Sequence, residues 1–551
     1  MNLTPFEFPY SCDTQYQKPV AYFSMEFAIH QALKIYSGGL GFFAGSHLRS
    51  AYELKQHLVG IGIKWKYGYY DQIRKADQSM DVLFMEKVYS FLKETGLKFQ
   101  IQVNGHPVWV TAYYLAPETF RTAPLFLLST DLPENDYLAQ TICHRLYDSD
   151  SAAKIAQYML LGLGGAALLD QLGYPAERYH LNEAHGLPAT FYLYQKYRDP
   201  QQLRERLVFT THTPEEAGNE KHDIRLLDRL GYFAGMNLEE VRRLTGISGD
   251  EFNLSLAALR MASKANGVSR MHGEVSRELW GPFEDICPIT SITNAQNWTY
   301  WADKDLYRAM ERKDPSWFRD RKRYLKRRCF DLVADQTGKL LNPDVFTLVW
   351  SRRFAEYKRA DLLLKDQQRL EKLLSSAKYP VQILWSGKPY PMDYGAISTF
   401  NNLVHFSKHY PQVAVLVGYE LALSKRLKQG ADVWLNTPRI SHEASGTSGM
   451  TAAMNGAVNF STQDGWIPEC IRHGENGFVM SKPEDYRHMP WHDQDSWDLN
   501  HLYEVLEGEI LPLFYDQPDR WMEIQQQGMR DVRTGFDSNR MAREYYEILY
   551  V

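Results

Sequence analysis

Short apolar runs that end in polar loops alternate with helix-like stretches along most of this 551-residue chain. The runs include "VAYFSMEF", "RYHLNEAH" and "RLVFTTHT" in the first half, and "VFTLVWSRRF", "VQILWSGKP" and "VAVLVGYE" in the second. Between them lie segments such as 150–173, whose apolar residues recur at the 3.6-residue spacing of a helix. This alternation predicts an α/β fold with parallel sheets, in which ligands gather outside the carboxyl ends of the strands.

The length of the chain fits two domains. A basic helix, "RDRKRYLKRRCF", ends in "DQTGKLLNPD", where Gly, Asn and Pro precede a new strand. We therefore expect one domain over residues 1–335 and a second over 336–525. The final segment, 526–551, has a helical pattern and is expected to pack back on the first domain.

Composition excludes several classes of partner. The formal net charge of −5 gives no reason to expect nucleic acid or an anionic membrane surface. Five scattered cysteines form no CxxC pair, which favours reduced thiols in a cytoplasmic protein over disulfides or a metal site. The first residues lack the pattern of a signal peptide, and no uninterrupted apolar run approaches about 18 residues. We expect no bound metal and no membrane span.

Two stretches suit an anion. In "IYSGGLGFFAGSHLRSA", Gly38 and Gly39 let the backbone approach a ligand just before a helix, although many such turns are only turns. "SRRFAEYKRADLL" follows a strand and groups Arg352, Arg353 and Lys358. Arginine is a bidentate clamp for phosphate and lysine a compact point charge, but surface helices carry such clusters too.

Other strand ends carry groups suited to a polyol. Glu183, His185 and His212 follow predicted strands in "HLNEAHG" and "FTTHTPEEAG", where a single histidine is more often structural than catalytic. "HEASGTSGM" is more specific, because Glu443 precedes a run whose amides can form an anion-binding nest at a helix start, with Thr451 in the first helical turn. The chain lacks the lipase GxSxG motif, the GxxxxGK[ST] phosphate loop and the GxGxxG dinucleotide fingerprint.

Taken together, these stretches resemble the glycogen and α-glucan phosphorylase family. The resemblance also includes "NGVSRMHGEVSRELW", "GADVWLNTPRISHEASGTSGM" and "MNGAVNFSTQDGW", all in the family's order from about residue 20 to 470. It implies two Rossmann-like domains facing a central cleft, the fold shared by many nucleotide-sugar glycosyltransferases. It also implies retaining transfer of glucose between an α-1,4-glucan end and phosphate. In the family, the phosphate of pyridoxal phosphate acts on the substrate phosphate as proton donor or electrostatic partner.

The resemblance assigns roles residue by residue. Arg353 and Lys358 correspond to the family residues that bind the substrate phosphate. Glu443 and His212 complete the expected catalytic set. Arg352 and Ser448 correspond to the family residues that bind the cofactor phosphate. The remaining expected substrate-binding residues are Gly38, Gly39, Leu40, Glu183, His185, Asn266, Asn297, Tyr419, Ser445, Gly446 and Thr447.

One family feature is missing. In the family a lysine eight residues after the loop glutamate holds pyridoxal phosphate as a Schiff base, and here that position is Thr451. Threonine has no amine, so we expect no covalently held cofactor. Asn297 also replaces a family histidine, Ala295 a glycine and Ser46 an aspartate.

Three hypotheses follow. In the first, which the sequence favours, the chain transfers a glycosyl unit from a nucleotide sugar, although the second glutamate of the related Glu–seven residues–Glu pattern also falls on Thr451. In the second, it remains a phosphorylase with non-covalent pyridoxal phosphate, since the cations around position 353 would repel one another without a phosphate-bearing ligand. In the third, it only binds a glucan or a partner. The expected partners are a sugar or glucan acceptor and a phosphate-bearing donor, and a homodimer is left open.

Overall fold

The computed structural model describes residues 5–551. Its strands are β1 (Val20–Phe23), β2 (Leu58–Ile63), β3 (Asp71–Arg74), β4 (Met80–Leu83), β5 (Lys93–Val103), β6 (His106–Leu115), β7 (Leu125–Ser129), β8 (Arg178–Asn182), β9 (Leu207–Thr210), β10 (Lys221–Asp223), β11 (Glu251–Asn253), β12 (Lys264–Gly267), β13 (Ile289–Ser291), β14 (Phe346–Ser351), β15 (Val381–Ser386), β16 (Val413–Leu416), β17 (Val433–Asn436), β18 (Val458–Ser461) and β19 (Gly477–Val479).

The α-helices are α1 (Gly39–Glu53), α2 (Pro117–Phe120), α3 (Tyr137–Thr141), α4 (Ser151–Met159), α5 (Gly165–Leu172), α6 (Pro188–Tyr197), α7 (Pro200–Arg206), α8 (Ile224–Leu230), α9 (Leu238–Thr245), α10 (Leu254–Met261), α11 (Arg270–Trp280), α12 (Trp298–Trp301), α13 (Lys304–Glu311), α14 (Pro315–Thr337), α15 (Gln367–Leu374), α16 (Tyr394–Ser407), α17 (Leu421–Gly430), α18 (Ser448–Ala453), α19 (Ile467–Cys470), α20 (Trp491–Val505), α21 (Leu511–Asp516), α22 (Pro518–Gly535) and α23 (Ser538–Glu544).

The chain divides into two compact units, each assembled from separate stretches of sequence. The first unit contains residues up to Tyr70, then Phe84–Asn297 and Ser538–Val551. The second contains Asp71–Leu83 and Trp298–Asp537. The mixed α/β class predicted from the sequence is confirmed, because parallel sheets flanked by helices form the body of each unit.

The first unit is built on a nine-stranded sheet in the order β13-β12-β9-β8-β1-β2-β7-β6-β5. Its strands pair in parallel from β13 to β7, and the β5–β6 hairpin extends the sheet antiparallel. The order reverses direction between β1 and β8. Loops that follow these two strands therefore flank a topological switch point, where α/β sheets bind ligands.

The second unit has a six-stranded, all-parallel sheet in the order β16-β15-β14-β17-β18-β19. Numbered within the unit, this is the 3-2-1-4-5-6 order of a Rossmann sheet, and its switch point lies between β14 and β17. All four residues of β16, β17 and β18 and all six of β14 and β15 are buried, as expected for strands covered on both faces.

The change of unit at Asn297 comes before the basic helix, whereas the sequence placed the boundary after it, at residue 335. Helix α14 belongs to the second unit because its lysines are buried there. Lys322 donates to the carbonyl oxygens of Gln429 and Asn455 at 3.0 and 2.9 Å, and Lys326 pairs with Asp432 at 2.6 Å. The basic residues belong to a helix whose buried ammonium groups anchor it in the second unit. The linker-like residues that follow this helix led the sequence prediction to place the boundary after it.

One helix is long and apolar enough to cross a membrane by length and composition. It runs over Ser151–Leu172, where α4 and α5 join through a π-helical turn, and it covers the predicted segment 150–173. However, 78% of its apolar window is buried inside the protein, which is typical of a core helix. The sequence expectation did not include this candidate because Lys154, Gln157 and Asp170 interrupt its apolar residues.

Candidate active site

Strand β14 delivers the predicted phosphate-binding loop to the switch point of the second unit. Arg352 follows the strand directly and its amide donates to the Ser386 carbonyl at 3.2 Å. Gly387 has φ +155°, and a Cβ there would lie 1.9 Å from the Arg352 carbonyl oxygen, so only glycine permits this close approach. Arg352 and Lys358 are buried, whereas Arg353 is exposed.

The neighbouring Arg359 holds this loop in place and takes no part in the cation cluster. Its guanidinium donates to Asp495 at 2.9 Å, to Asp498 at 2.6 Å and to the Thr437 carbonyl at 2.8 Å. Thr437 in turn donates to the Lys358 carbonyl at 2.9 Å. Because the Arg359 charge is matched by two carboxylates, the neighbouring loop is fixed while Lys358 keeps its own partner.

That partner is Glu443, which receives two cations. Its Oε2 lies 3.2 Å from Lys358 Nζ and 3.3 Å from Arg352 Nη1. Burial lowers the pKa of Lys358 to about 8, although the Glu443 carboxylate acts in the opposite direction. Burial alone would raise the pKa of Glu443, but the two cations outweigh it and the pKa lies below its usual value. Glu443 is therefore a charged group surrounded by positive charge.

Asp464 lies behind Glu443 and was missed by the sequence reasoning. Its Oδ2 accepts the Glu443 amide at 2.8 Å and its Oδ1 accepts the Gly465 amide at 2.8 Å. Burial raises its pKa to about 7 despite these hydrogen bonds. Asp464 thus fixes the backbone that presents Glu443. The only signal in the sequence was its place inside "MNGAVNFSTQDGW", one of the motifs that carry the resemblance.

The loop after Glu443 carries the predicted small-residue nest. Gly446 has φ +82°, a left-handed conformation that favours glycine. Arg352 Nη2 reaches the Ser448 hydroxyl at 3.4 Å, and the Ser445 carbonyl accepts the Trp466 amide at 3.0 Å. Arg352 Nε and Ser445 Oγ are buried and have no hydrogen-bond partner among residues 5–551. Buried polar atoms without a partner suit contact with the oxygens of a phosphate-bearing ligand.

Helix α18 is only six residues long and starts at Ser448, with Thr447 at its N-cap position. Thr451 is 1% exposed, and its hydroxyl donates to the Ser448 carbonyl of the same helix at 3.0 Å. The amides of Gly449 and Thr451 bond to the carbonyls of Gly446 and Thr447. The helix start therefore offers fewer open amides than the sequence predicted, since two of them are used within the turn.

Tyr419 is the remaining predicted residue of this unit. It follows β16 on the loop before α17, and its hydroxyl accepts from Ser424 at 3.3 Å. Only 6% of the residue is exposed. The second unit thus brings together Arg352, Lys358, Glu443 and Ser448 by direct contact. Arg353 and Tyr419 lie on adjoining loops, and Thr451 lies in α18.

In the first unit, the glycine-rich turn follows β1 and is held by a carboxylate. Glu26 accepts from the amides of Ser37 and Gly38 at 2.6 and 3.2 Å and from the Tyr147 hydroxyl at 2.6 Å. A Cβ at Gly38 or Gly39 would meet nothing within 4 Å, so the backbone there borders open space. Leu40 lies in the first turn of α1 and is half-buried. Glu26 was not singled out in the sequence, because its role depends on the fold.

Glu183 follows β8, on the other side of the switch point. Its backbone has φ +66°, which is strained for a residue with a side chain. Its carboxylate accepts from the His212 amide and from the Thr213 hydroxyl, the latter at 3.1 Å. Burial raises the pKa of Glu183 to about 7. A strained backbone with a perturbed carboxyl group at a strand end is typical of a functional site.

The Glu183 carboxyl group should make stability depend on pH. Because its pKa is raised in the folded state, its contribution favours folding at low pH and is lost as the pH rises through about 7. Glu183→Gln keeps an oxygen acceptor but does not titrate. The free energy of unfolding of the variant, relative to that of the wild type, should therefore rise between pH 5 and 9 by on the order of 2 kcal/mol. Thermal midpoints measured across that range check this. Glu177→Gln, at an exposed position just before β8, is the control. A difference in thermal midpoint between the Glu183 variant and the wild type that does not change with pH would contradict the raised pKa of Glu183.

His212 follows β9 and its Nε2 lies 2.7 Å from the Asn182 side-chain oxygen. Burial lowers its pKa to about 3, so the imidazole is neutral at pH 7. His185 lies in the turn after β8 beside the ring of Tyr158, with centroids 5.0 Å apart, and burial lowers its pKa as well. If these histidines stabilise a developing positive charge, they must do so through neutral imidazole rings or through their backbone carbonyls.

Two predicted residues lie deep in the first unit. Asn266, on β12, accepts from the Thr210 hydroxyl at 2.6 Å and is fully buried. Asn297 is 1% exposed, and its amide reaches the Ser50 hydroxyl at 3.4 Å. Ser50 also contacts Ser538 of the C-terminal segment. Both asparagines are thus engaged in polar contacts of the core.

Comparisons with known proteins identify the family of this chain. The carbohydrate phosphorylase model matches residues 306–478. This range includes the loop with Arg352 and Lys358, as well as Glu443 and α18. The maltodextrin phosphorylase of Thermococcus litoralis is 31% identical over 97% of this chain and 71% of its own length. This chain belongs to the carbohydrate phosphorylase family. It is accordingly a phosphorylase-like enzyme, a glycosyltransferase by class.

Other family relatives extend over the whole chain. The glycogen phosphorylase of Mycobacterium tuberculosis is 31% identical over 96% of this chain and 70% of its own length. An uncharacterized protein of Methanocaldococcus jannaschii is 44% identical over 97% of this chain and all of its own length. The resemblance seen in the sequence is therefore confirmed at the level of the family.

Carbohydrate phosphorylases usually use pyridoxal phosphate, so the residues of this chain can be tested against that cofactor. Position 451 does not fit a covalent attachment, because its threonine has no amine and its hydroxyl bonds within α18. The buried guanidinium of Arg352, with its unpartnered Nε and its contact to Ser448, does fit a phosphate group.

Proposed function

We propose that the chain is an α-glucan phosphorylase that transfers a glucosyl unit, with retention of configuration, between an α-1,4-glucan end and inorganic phosphate. The observation that carries this proposal is the cluster at the switch point of the second unit. There Arg352 and Lys358 converge on Glu443, and Arg353 stands on the same loop. Two buried cations beside unpartnered polar atoms suit an incoming phosphate, which would compete with Glu443 for them.

The proposed roles follow from charge. In a front-face transfer the phosphate leaves or enters on one side of the sugar, and cations around it stabilise the charge that develops. Arg353 and Lys358 would bind this phosphate, and Glu443 would bind sugar hydroxyl groups once phosphate takes over the cations. The carbonyl or neutral imidazole of His212 would stabilise positive charge at the anomeric carbon. No enzyme nucleophile at the distance used by retaining glycosidases is needed.

The other residues proposed to contact the glucosyl unit are Gly38, Gly39, Leu40, Glu183, His185, Asn266, Asn297, Tyr419, Ser445, Gly446 and Thr447. Since they are divided between two units, we include in the proposal the family's arrangement of two Rossmann-like domains facing a cleft. A cytoplasmic location stays a prediction from the sequence, and a homodimer stays open.

Thr451 keeps a second candidate function open. Without an amine at this position, a nucleotide sugar could replace cofactor and phosphate together, as the sequence favoured. Against it, the Thr451 hydroxyl donates its hydrogen to the Ser448 carbonyl and so cannot replace the carboxylate that would hold a ribose through two oxygens. Membership of the phosphorylase family and this contact lead us to place phosphorolysis first. When bound, pyridoxal phosphate would supply a phosphate group that acts on the substrate phosphate.

The experiment that tests the proposal compares donors directly. Purified protein, with and without added pyridoxal phosphate, is incubated with maltodextrin and inorganic phosphate, and glucose 1-phosphate is measured. We expect glucose 1-phosphate to form, and in reverse we expect glucan elongation from glucose 1-phosphate. Elongation from UDP- or ADP-glucose with no use of glucose 1-phosphate would instead establish the nucleotide-sugar function.

A further inference from the structure

The second unit contains a cavity that shares no lining residue with the Glu443 cluster. Its volume is about 330 Å³, near the lower end of the range of small-molecule sites. It is bordered by the β3–β4 hairpin, by the ends of α14 and α16, and by β16. Three of its lining residues are cations, Arg74, Lys339 and Lys408, and no carboxylate from the described part of the chain lines it. The proposed transfer reaction uses none of these three cations.

The cavity lies along the outer edge of the six-stranded sheet. Strand β16 is the last strand of that sheet and pairs with β15. The Gln412 carbonyl accepts from the Ile383 amide of β15 at 3.1 Å. The alternate residues that follow, Val413, Val415 and Val417, therefore direct their carbonyls away from β15. Polar groups on such an edge need partners from elsewhere in the chain.

Two of these carbonyls are capped by cations and the third by a neutral side chain. Lys339 donates to the first carbonyl at 2.6 Å, and Arg74 Nη2 donates to the second. Gln336 donates to the third at 3.1 Å and accepts from the amide of the same residue at 3.0 Å. A neutral amide therefore suffices to cap this edge. The hydrogen bonds alone do not account for the charge of the other two caps.

The positive charges around the cavity oppose one another. Burial lowers the pKa of Arg74, and burial together with the Arg74 charge lowers that of Lys339. Lys408 is exposed and donates to the Asp77 carbonyl at 2.6 Å. The Asp77 carboxylate itself is exposed and accepts from the Ser79 amide and hydroxyl at 3.0 and 2.6 Å. Carbonyl partners satisfy the N–H groups of a cation but do not neutralise its charge, whereas an anion in the cavity would.

Arg74 keeps donors for such an anion. Its Nη1 meets the Gln78 carbonyl at 3.5 Å, which is longer than an ordinary N–H···O hydrogen bond. Its Nε is buried and has no hydrogen-bond partner within the residues that the structure describes. Val404, Ala414 and Val415 add an apolar surface to the lining. A guanidinium and two ammonium groups beside an apolar surface suit a phosphate group carried by a small organic molecule.

We propose that this cavity binds a phosphate monoester of a small metabolite, with the phosphate group between Arg74, Lys339 and Lys408. The site is separate from the Glu443 cluster, and the proposal does not depend on the proposed transfer reaction. The β3–β4 hairpin is already tied to α16, because the Met80 amide donates to the Asn401 side chain at 2.9 Å. A ligand held by Arg74 on the hairpin and by Lys408 after α16 adds a second tie between these elements. Binding should therefore stabilise the hairpin.

The test uses glycerol 3-phosphate, a phosphate monoester that carries no glucosyl unit. Calorimetric titration of the full chain should show binding of one molecule per chain, and inorganic phosphate should bind more weakly. Arg74→Gln keeps a donor for the β16 carbonyl but removes the charge, so it should weaken binding by about tenfold or more. Lys408→Gln, at an exposed position, should weaken binding as well. Lys75→Gln is the matched control, because this exposed neighbour does not line the cavity, and it should bind like the wild type.

Amide hydrogen exchange locates the site, since residues 71–83 should gain protection when the probe binds. Arg353→Ala, a change in the loop beside the Glu443 cluster, should keep the full affinity, and loss of binding in this variant would overturn the proposal. So would no binding by the wild type, or binding that Lys408→Gln leaves unchanged, an outcome that can be read even if Arg74→Gln fails to fold. Tighter binding of inorganic phosphate than of glycerol 3-phosphate would overturn the assignment to a monoester.

Discussion

Replacing Arg353 or Lys358 with alanine should abolish glucosyl transfer, with kcat/KM falling by about 10³-fold or more while the chain stays folded. In the proposed reaction, charge develops on a phosphate group, and a fixed cation beside it stabilises the transition state more than the ground state. Arg353 is exposed, so its replacement removes little buried surface, although Tyr357 loses a side-chain hydrogen bond. Lys358→Ala leaves Glu443 its contact with Arg352 at 3.3 Å, which limits the cost to stability.

Steady-state kinetics in both directions, with a thermal midpoint for each variant, measure these effects. Arg369→Ala is the matched control, because this arginine forms a surface pair with Glu507 at 2.8 Å on α15. Such pairs contribute at most about 1 kcal/mol, and transfer should be unchanged. Turnover like that of the wild type in Arg353→Ala or in a folded Lys358→Ala variant would refute the phosphate-binding role of the loop.

Removing the C-terminal segment Ser538–Val551 should prevent the first unit from folding. Met541, Tyr545, Leu549 and Tyr550 are each at most 1% exposed. Burying a large apolar side chain contributes roughly 1.5–3 kcal/mol, so their joint loss approaches the whole stability of about 5–15 kcal/mol that a native protein has. Polar ties are lost as well, since Gln56 donates to the Ala542 carbonyl at 2.9 Å.

A chain that stops at Asp537 can be compared with the full chain by thermal unfolding and by amide hydrogen exchange. We expect exchange protection to disappear in β8, whose His180 lies 2.7 Å from the Tyr550 hydroxyl. Ile548→Ser is the control within the segment, because that side chain is 36% exposed and its replacement should cost little. A truncated chain with the thermal midpoint of the full chain would show that the segment is dispensable.

The strand pattern of the sequence predicted the sheets well. "VFTLVWSRRF", "VQILWSGKP" and "VAVLVGYE" contain β14, β15 and β16, whose buried residues form continuous apolar runs. The helix over 150–173 was also predicted, because its apolar residues follow one period. Local patterns of this kind depend on neighbours in sequence, so they can be read without knowing the fold.

The boundary between the units that precedes α14, and part of the site, could not be predicted in this way. Helix α14 has a basic pattern typical of a solvated face, yet Lys322 and Lys326 are buried by carbonyl and carboxylate partners more than a hundred residues away. Glu26 and Asp464 each fix a loop through backbone amides that only the folded chain brings within reach.

The order in which the chain is made gives the interleaved units a further consequence. Strands β1, β2, β7, β8 and β9 are synthesised before residue 298, but Ser538–Val551, which also belongs to the first unit, is synthesised only after residues 298–537. At roughly 5–20 residues per second, synthesis of 298–537 takes on the order of ten seconds to a minute. During that time the side chains of Ser538–Val551 that are buried in the finished structure are missing, so the first unit can reach its final packing only after most of the second unit has been synthesised.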